Sequence, residues 1–102
     1  MSFAGIFGRS PDLAQGLLLA RETPNALILD VRTPSEFADG HVPGSINLPL
    51  DRIETIDEAL DRPLFVYCLS GNRSGRAAAY LNEQGYKATN IGGISGYRGP
   101  LE

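Results

Sequence analysis

The chain of 102 residues has no tryptophan, one cysteine, one histidine and one methionine. A single thiol cannot close an internal disulfide, and small domains of oxidising compartments commonly depend on several, so a reducing environment and a free Cys68 are expected. No cluster of metal-ligating residues is present. Long apolar runs are missing too: Leu17 to Ala20 and Leu64 to Leu69 fall far short of the roughly 20 residues a membrane-spanning helix needs. Phe3, Ile6 and Phe7 make the N-terminus mildly apolar, but no basic segment precedes them and the stretch is too short for a secretory signal, so a cytoplasmic location is expected. Positive charge is not in excess either. Nine basic against twelve acidic residues leave a net charge of −3, the wrong sign for counterion release from a phosphate backbone, so neither nucleic acid nor a membrane is an expected partner. Gly92, Gly93 and Gly96 lack the Gly-x-Gly-x-x-Gly spacing of a dinucleotide site. Internal repeats and low-complexity segments are absent.

What remains has the make-up of a globular domain, 42% hydrophobic and 21% charged, of a length that suits one compact domain over 1–102. The charge is unevenly spread. Residues 1 to 61 hold four arginines against ten carboxylates, whereas residues 62 to 102 hold four arginines and Lys87 against two glutamates. The second part is locally cationic.

Ser10-Pro11 reads as a helix start, with a hydroxyl cap and a proline where its missing N–H is harmless, and Leu13, Leu17 and Ala20 line one face. Pro24-Asn25 ends that helix. Ala26 to Val31 is a short apolar run typical of a strand buried on both faces, with Asp30 as its charged member. Thr33-Pro34-Ser35-Glu36 has capping-box spacing and predicts a short helix carrying Phe37. Ser45 to Leu48 predicts a second strand, and Leu50, Ile53, Ile56 and Leu60 predict an amphipathic helix whose other face holds Asp51, Glu54, Asp57, Glu58 and Asp61. A third strand is expected at Leu64 to Tyr67, a helix at Arg73 to Gln84 closed by Gly85, and a fourth strand at Lys87 to Ile91. Strands alternating with helices imply crossover connections, hence an α/β fold with a parallel sheet covered on both faces.

Ligands of such sheets collect beyond the carboxyl ends of the strands, where Cys68 lies. The loop after it, Leu69-Ser70-Gly71-Asn72-Arg73-Ser74, contains no carboxylate. Its side chains and successive backbone N–H groups can donate to an anion, and the following helix directs its N-terminal dipole at it. With Arg73 and Arg76 adding positive charge, Cys68 should ionise more readily than a free thiol and act as a nucleophile.

These residues resemble the rhodanese family, in the layout of a thiosulfate sulfurtransferase built as one domain. Leu29-Asp30-Val31-Arg32, Glu36-Phe37 and Gly40-His41-Val42-Pro43-Gly44-Ser45-Ile46-Asn47-Leu48-Pro49 follow that family's N-terminal signature. Cys68 to Arg73 match its active-site loop, and Gly92-Gly93-Ile94-Ser95-Gly96-Tyr97 are similar to its closing glycine-rich segment, with Tyr97 where tryptophan is common. The resemblance spans about residues 10 to 100 and implies a five-stranded, mostly parallel sheet with helices on both faces. Pattern alone yields four strands, so the fifth is expected near Phe3 to Gly8 or between Ile91 and Tyr97. It further implies that Cys68 takes a sulfane sulfur from thiosulfate or a related small anionic donor as a persulfide. A thiol, cyanide or a protein cysteine would then accept it, without a cofactor, on a monomer or weak homodimer.

Leu69, Ser70, Gly71, Asn72, Arg73 and Ser74 are accordingly the expected substrate-binding residues around the catalytic Cys68. Arg73 is expected to close the ring and attract the donor, with Arg76, one turn later, adding field at its mouth. Asp30 and Arg32 read as a structural brace rather than a catalytic pair, and His41 as part of an architectural turn rather than a base for a Cys–His hydrolase. Leu101-Glu102 has no assigned role. Two rival functions fit the same loop: a carrier module that presents its persulfide without turnover, and a cysteine phosphatase or arsenate reductase. Tyrosine phosphatases place five residues between cysteine and arginine, whereas four stand here, a smaller ring suited to one sulfur atom.

Overall fold

The computed structural model describes residues 12–102. Helix α1 (Leu13–Glu22) is followed by β1 (Leu27–Asp30), α2 (Pro34–Ala38), β2 (Ile46–Asn47), a 3-10 helix (Leu50–Thr55), β3 (Pro63–Cys68), α3 (Asn72–Glu83) and β4 (Lys87–Gly93). The strands form one parallel sheet in the order β2-β1-β3-β4. Side chains on β1 and β3 alternate between two cores, as the period of two dictates. Leu27, Leu29, Leu64, Val66 and Cys68 pack with Ile53 and with Ala77 and Leu81 of α3. Ile28, Phe65 and Tyr67 face the other way, against Leu13, Leu17 and Ala20 of α1. Cys68 is thus the last residue of a central strand and belongs to the α3 side.

Among the described residues the sheet has four strands, not the five implied by resemblance. Phe3 to Gly8 lie outside the described residues. The other location is a turn, closed by the Tyr97 N–H on the Ile94 carbonyl at 3.0 Å. β4 instead reaches two residues beyond its expected end, with Ile91 as an extra residue opposite the Val66–Tyr67 step. The expected start of α1 also needs correction. Ser10 and Pro11 lie outside the described residues, and the cap is Asp12, whose side chain accepts from the Ala14 N–H at 3.1 Å.

The Leu50–Leu60 stripe does not become an α-helix. Thr55 Oγ1 donates to the Arg52 carbonyl at 2.7 Å, the acceptor that the Ile56 N–H would use in an α-helix, and that N–H turns to Ile53 instead. Ile56 is then extended (φ −57°, ψ 139°) and the 3-10 turn stops. Ile53 alone of the stripe is buried, and Leu60 is 54% exposed.

One buried ion pair ties the carboxyl edge of the sheet to the loops above it. Arg32 Nη2 lies 2.7 Å from Asp30 Oδ2, and its Nε donates to the same carboxylate. Arg32 Nη2 also donates to the Gly40 carbonyl at 2.8 Å, and the guanidinium sits 5.8 Å over the Tyr67 ring. Asn47 Nδ2 bonds the carbonyls of Asp30 and Arg32, both at 2.9 Å. On the opposite side Tyr67 Oη accepts from the Val42 N–H at 3.0 Å, and burial pushes its phenol up to about 12. Removing one partner of a buried pair leaves an uncompensated charge. Arg32→Ala should therefore lower the unfolding free energy by about 3–5 kcal/mol, read from urea denaturation.

Candidate active site

β3 delivers Cys68 to the edge of the sheet, where the chain must leave the strand and begin a helix within four residues. Gly71 makes this possible. It stands at the N-cap of α3 with φ 99°, ψ −7°, a conformation glycine adopts freely. That turn aims N–H groups back at the sulfur: Gly71 N lies 3.0 Å and Ser74 N 3.3 Å from Cys68 Sγ, with Ser74 Oγ at 3.4 Å. Cys68 itself is fully buried. Burial pushes its thiol up, but hydrogen bonds from the Ser74 hydroxyl and from the N–H groups of Ser74, Gly71 and Ser70 outweigh it, so the thiol lies below its ordinary value.

The loop is sewn to the end of β4. The carbonyls of Cys68 and Leu69 accept from the Ile94 and Ser95 N–H groups at 2.9 and 3.0 Å. A methyl group on Gly93 would lie 2.2 Å from the Leu69 carbonyl oxygen, so only a residue without Cβ lets strand and loop come this close. Asn90 then joins three segments at once. Its Oδ1 accepts from Ser74 Oγ at 2.7 Å and from Gly92 N at 3.0 Å, while Nδ2 donates to the Gly71 carbonyl at 3.1 Å. This bonding fixes the amide orientation, because a flip would face two donors at Gly92 and two acceptors at Gly71. Ser74 has one hydroxyl proton and three acceptors within reach, Asn90 Oδ1, Gly92 O and Cys68 Sγ.

Of the residues singled out in the sequence, Gly71 and Ser74 reach the sulfur directly. Leu69, Ser70 and Asn72 form the exposed outer side of the loop, with Ser70 Oγ accepting from the Asn72 N–H at 3.3 Å. Arg73 points elsewhere: its Nη1 and Nη2 donate to Glu36 Oε1 and Oε2 at 2.7 and 3.0 Å, a two-pronged pair that pins the loop to α2. Arg76 makes no hydrogen bond or ion pair with a described residue. His41 stacks its ring on Phe37, with centroids 3.6 Å apart, its Nδ1 donates to the Phe37 carbonyl, and Nε2 faces Glu102 at 3.5 Å. Both of its nitrogens are thus engaged away from Cys68.

Glu36 and Asn90 are the residues that sequence reasoning did not bring to the site. Glu36 does complete the capping box, its Oε1 accepting from the Thr33 N–H at 2.9 Å, but the same carboxylate also holds Arg73. The usable signal for Asn90 was a polar amide within the strand just before the paired glycines.

Two consequences can be measured. Arg73, with the Thr33 N–H second, holds the Glu36 carboxyl down at about 2 against an ordinary 4.5. A depressed carboxyl contributes stability above its unfolded value and loses it as the pH falls through the folded one. Glu36→Gln should therefore flatten the part of the acid-induced stability loss that lies between about pH 4.5 and 2, seen as a smaller shift of the urea midpoint on acidification than in the parent. Gly71→Ala forces a left-handed turn on a residue with Cβ, costing about 1–2 kcal/mol. It should also raise the midpoint of Cys68 alkylation towards the ordinary thiol value of about 8.5, because the Gly71 and Ser74 donors lose their aim.

The chain is 46% identical over 78 residues to thiosulfate sulfurtransferase GlpE of Pseudomonas syringae, covering 74% of this chain and 70% of that protein. It is 42% identical over 67 residues to a sulfurtransferase of Allochromatium vinosum, covering 64% of this chain and 63% of that one, so it spans less than two thirds of that relative's length. A crystal structure of a rhodanese-like domain protein from Staphylococcus aureus superposes with a TM-score of 0.79 at 28% identity, covering 92% of this chain and 96% of the other. Residues 13–99 match the rhodanese-like domain, which takes in β1 to β4, the Cys68 loop and the β4 segment that holds it, and the chain belongs to that family.

Proposed function

We propose that the protein is a two-step sulfurtransferase whose working residue is Cys68. The observation that carries this reading is the convergence of the Gly71 and Ser74 N–H groups and the Ser74 hydroxyl on one buried sulfur. In the first step the Cys68 thiolate attacks the outer sulfur of thiosulfate or a similar donor. A bond forms between Sγ and that sulfur, the donor's S–S bond breaks, and sulfite leaves with the electron pair. The terminal sulfur of the persulfide keeps the negative charge it carried in the donor, where the loop N–H groups can stabilise it. In the second step a thiophilic acceptor removes the terminal sulfur and the electron pair returns to Sγ. Each step is a displacement at sulfur and calls for no external electron carrier.

Sγ is covered in the resting structure, so contact with a donor requires the loop around it to open. The Arg73–Glu36 pair gives that motion a fixed end at the start of α3. It also weighs against a phosphatase. A guanidinium closed onto a carboxylate by both Nη atoms is poorly placed to bind phosphate in the plane of its fork. Arg73 thereby acts here chiefly as a positioning residue.

Incubating the reduced protein with thiosulfate should add the mass of one sulfur atom, removable by cyanide or dithiothreitol and absent in Cys68→Ser, as read by intact-mass spectrometry. An unchanged mass in a protein that hydrolyses an aryl phosphate would overturn the reading. Catalytic release of sulfite with continuing acceptor turnover identifies the enzyme, whereas a single stoichiometric charge without turnover identifies a carrier module.

A further inference from the structure

A groove of about 560 Å³ opens beside the Cys68 loop, with Arg73 on its wall. Two of its lining residues, Val31 and Ile53, are buried in the same core cluster as Cys68, and the Val31 N–H bonds the carbonyl of Tyr67, the residue before Cys68, at 3.1 Å, so part of the groove lies beside the end of β3. The volume falls in the range of organic-ligand pockets and far exceeds the space that a sulfane anion or cyanide occupies. Pro34, Leu50 and Tyr80 supply further apolar or aromatic wall. Two opposite charges stand in this lining without an ion-pair partner among the described residues, Arg76 and Asp51, and they are not paired with each other. Arg73 is neutralised by Glu36, which leaves Arg76 as the uncompensated cation of the groove.

An apolar trough with an unpaired guanidinium and an unpaired carboxylate at separate places does not complement cyanide, which has no apolar body, whereas it offers the carboxylate of an organic thiol a counter-ion in Arg76. We propose that the groove seats the sulfur acceptor and selects organic thiols whose apolar stem ends in a carboxylate, with Arg76 as the counter-ion. Asp51 sharpens the selection by repelling a misplaced carboxylate and by favouring an acceptor that also carries an ammonium group. The acceptor thiolate attacks the terminal sulfur of the Cys68 persulfide. The new S–S bond forms as the bond to Sγ breaks, the electron pair returns to Sγ, and the acceptor leaves as an organic persulfide.

The assignment to acceptor rests on the sulfurtransferase reading, so the test separates the two. Protein charged with thiosulfate and freed of excess donor is discharged with 3-mercaptopropionate or with cysteamine, whose charges are opposite. Arg76→Glu should lower the ratio of the two rate constants by about tenfold at low salt, and Asp51→Lys should raise it, since exposed charges act within roughly 8–10 Å. Independently of any turnover, hexanoate added to the uncharged protein should shift the amide resonances of Leu50, Ile53, Arg76 and Tyr80. Its affinity should exceed that of butyrate by up to about fourfold per methylene, and acetate should have no effect. Hexanoate shifts in a protein that never forms a persulfide would uphold the groove's ligand class and overturn its role as acceptor seat along with the sulfurtransferase reading. Persulfide formation with unchanged thiol ratios in both variants would overturn this proposal alone. Inhibition of loading rather than discharge by hexanoate would assign the groove to the donor and overturn it as an acceptor site.

Discussion

A sulfur that is to carry negative charge inside an apolar core must find there the hydrogen-bond donors it leaves behind in water. Cys68 is buried with Val66, Ala77 and Leu81, and none of these offers it a donor. Backbone N–H groups of the next six residues do, and they can do so only because the chain reverses at Gly71 with φ 99° before α3 begins. Most of the site's other features serve that reversal: the close approach of Gly93, the Asn90 amide on the Gly71 carbonyl, and the Arg73–Glu36 pair.

The uneven charge along the sequence acquires a meaning in this setting. The cationic second part contributes the loop and α3, and the acidic first part contributes Glu36, 37 residues away, so the strongest available anchor for the loop comes from the element above the neighbouring strand. Arg73 and Arg76, alike in composition and one turn apart, thereby acquire different duties. One is held by a carboxylate of its own chain, and the other faces a groove.

Legibility in the sequence followed the range of the interactions involved. β1, β3 and α3 were visible because their apolar periods and stop residues are local signals, and the Thr33–Glu36 capping box forms as its spacing predicts. The loop after Cys68, free of carboxylates and rich in hydrogen-bond donors, was visible for the same reason. The Leu50–Leu60 helix failed because one hydroxyl, Thr55 Oγ1, competes for a backbone acceptor, a contest that hydrophobic spacing does not register. The ring expected of Arg73 did not account for Glu36, whose local role in the capping box hid its distant one. Asn90 acts on residues 16 and 19 positions earlier in the chain, and no local pattern marks such contacts.

That distance has a bearing on folding. Asn90 and the Ile94 and Ser95 N–H groups fasten the loop only when β4 has docked on β3, and among the described residues β4 is an end strand of the sheet. Excursions that peel an edge strand away are among the lower-energy openings of a folded domain. In each such opening the Gly71 carbonyl loses the Asn90 amide, and the carbonyls of Cys68 and Leu69 lose the Ile94 and Ser95 N–H groups. The donors that lower the Cys68 thiol then sit on a loop without its long-range fasteners, so the acidity of this sulfur is coupled to the docking of a strand that gives it no hydrogen bond.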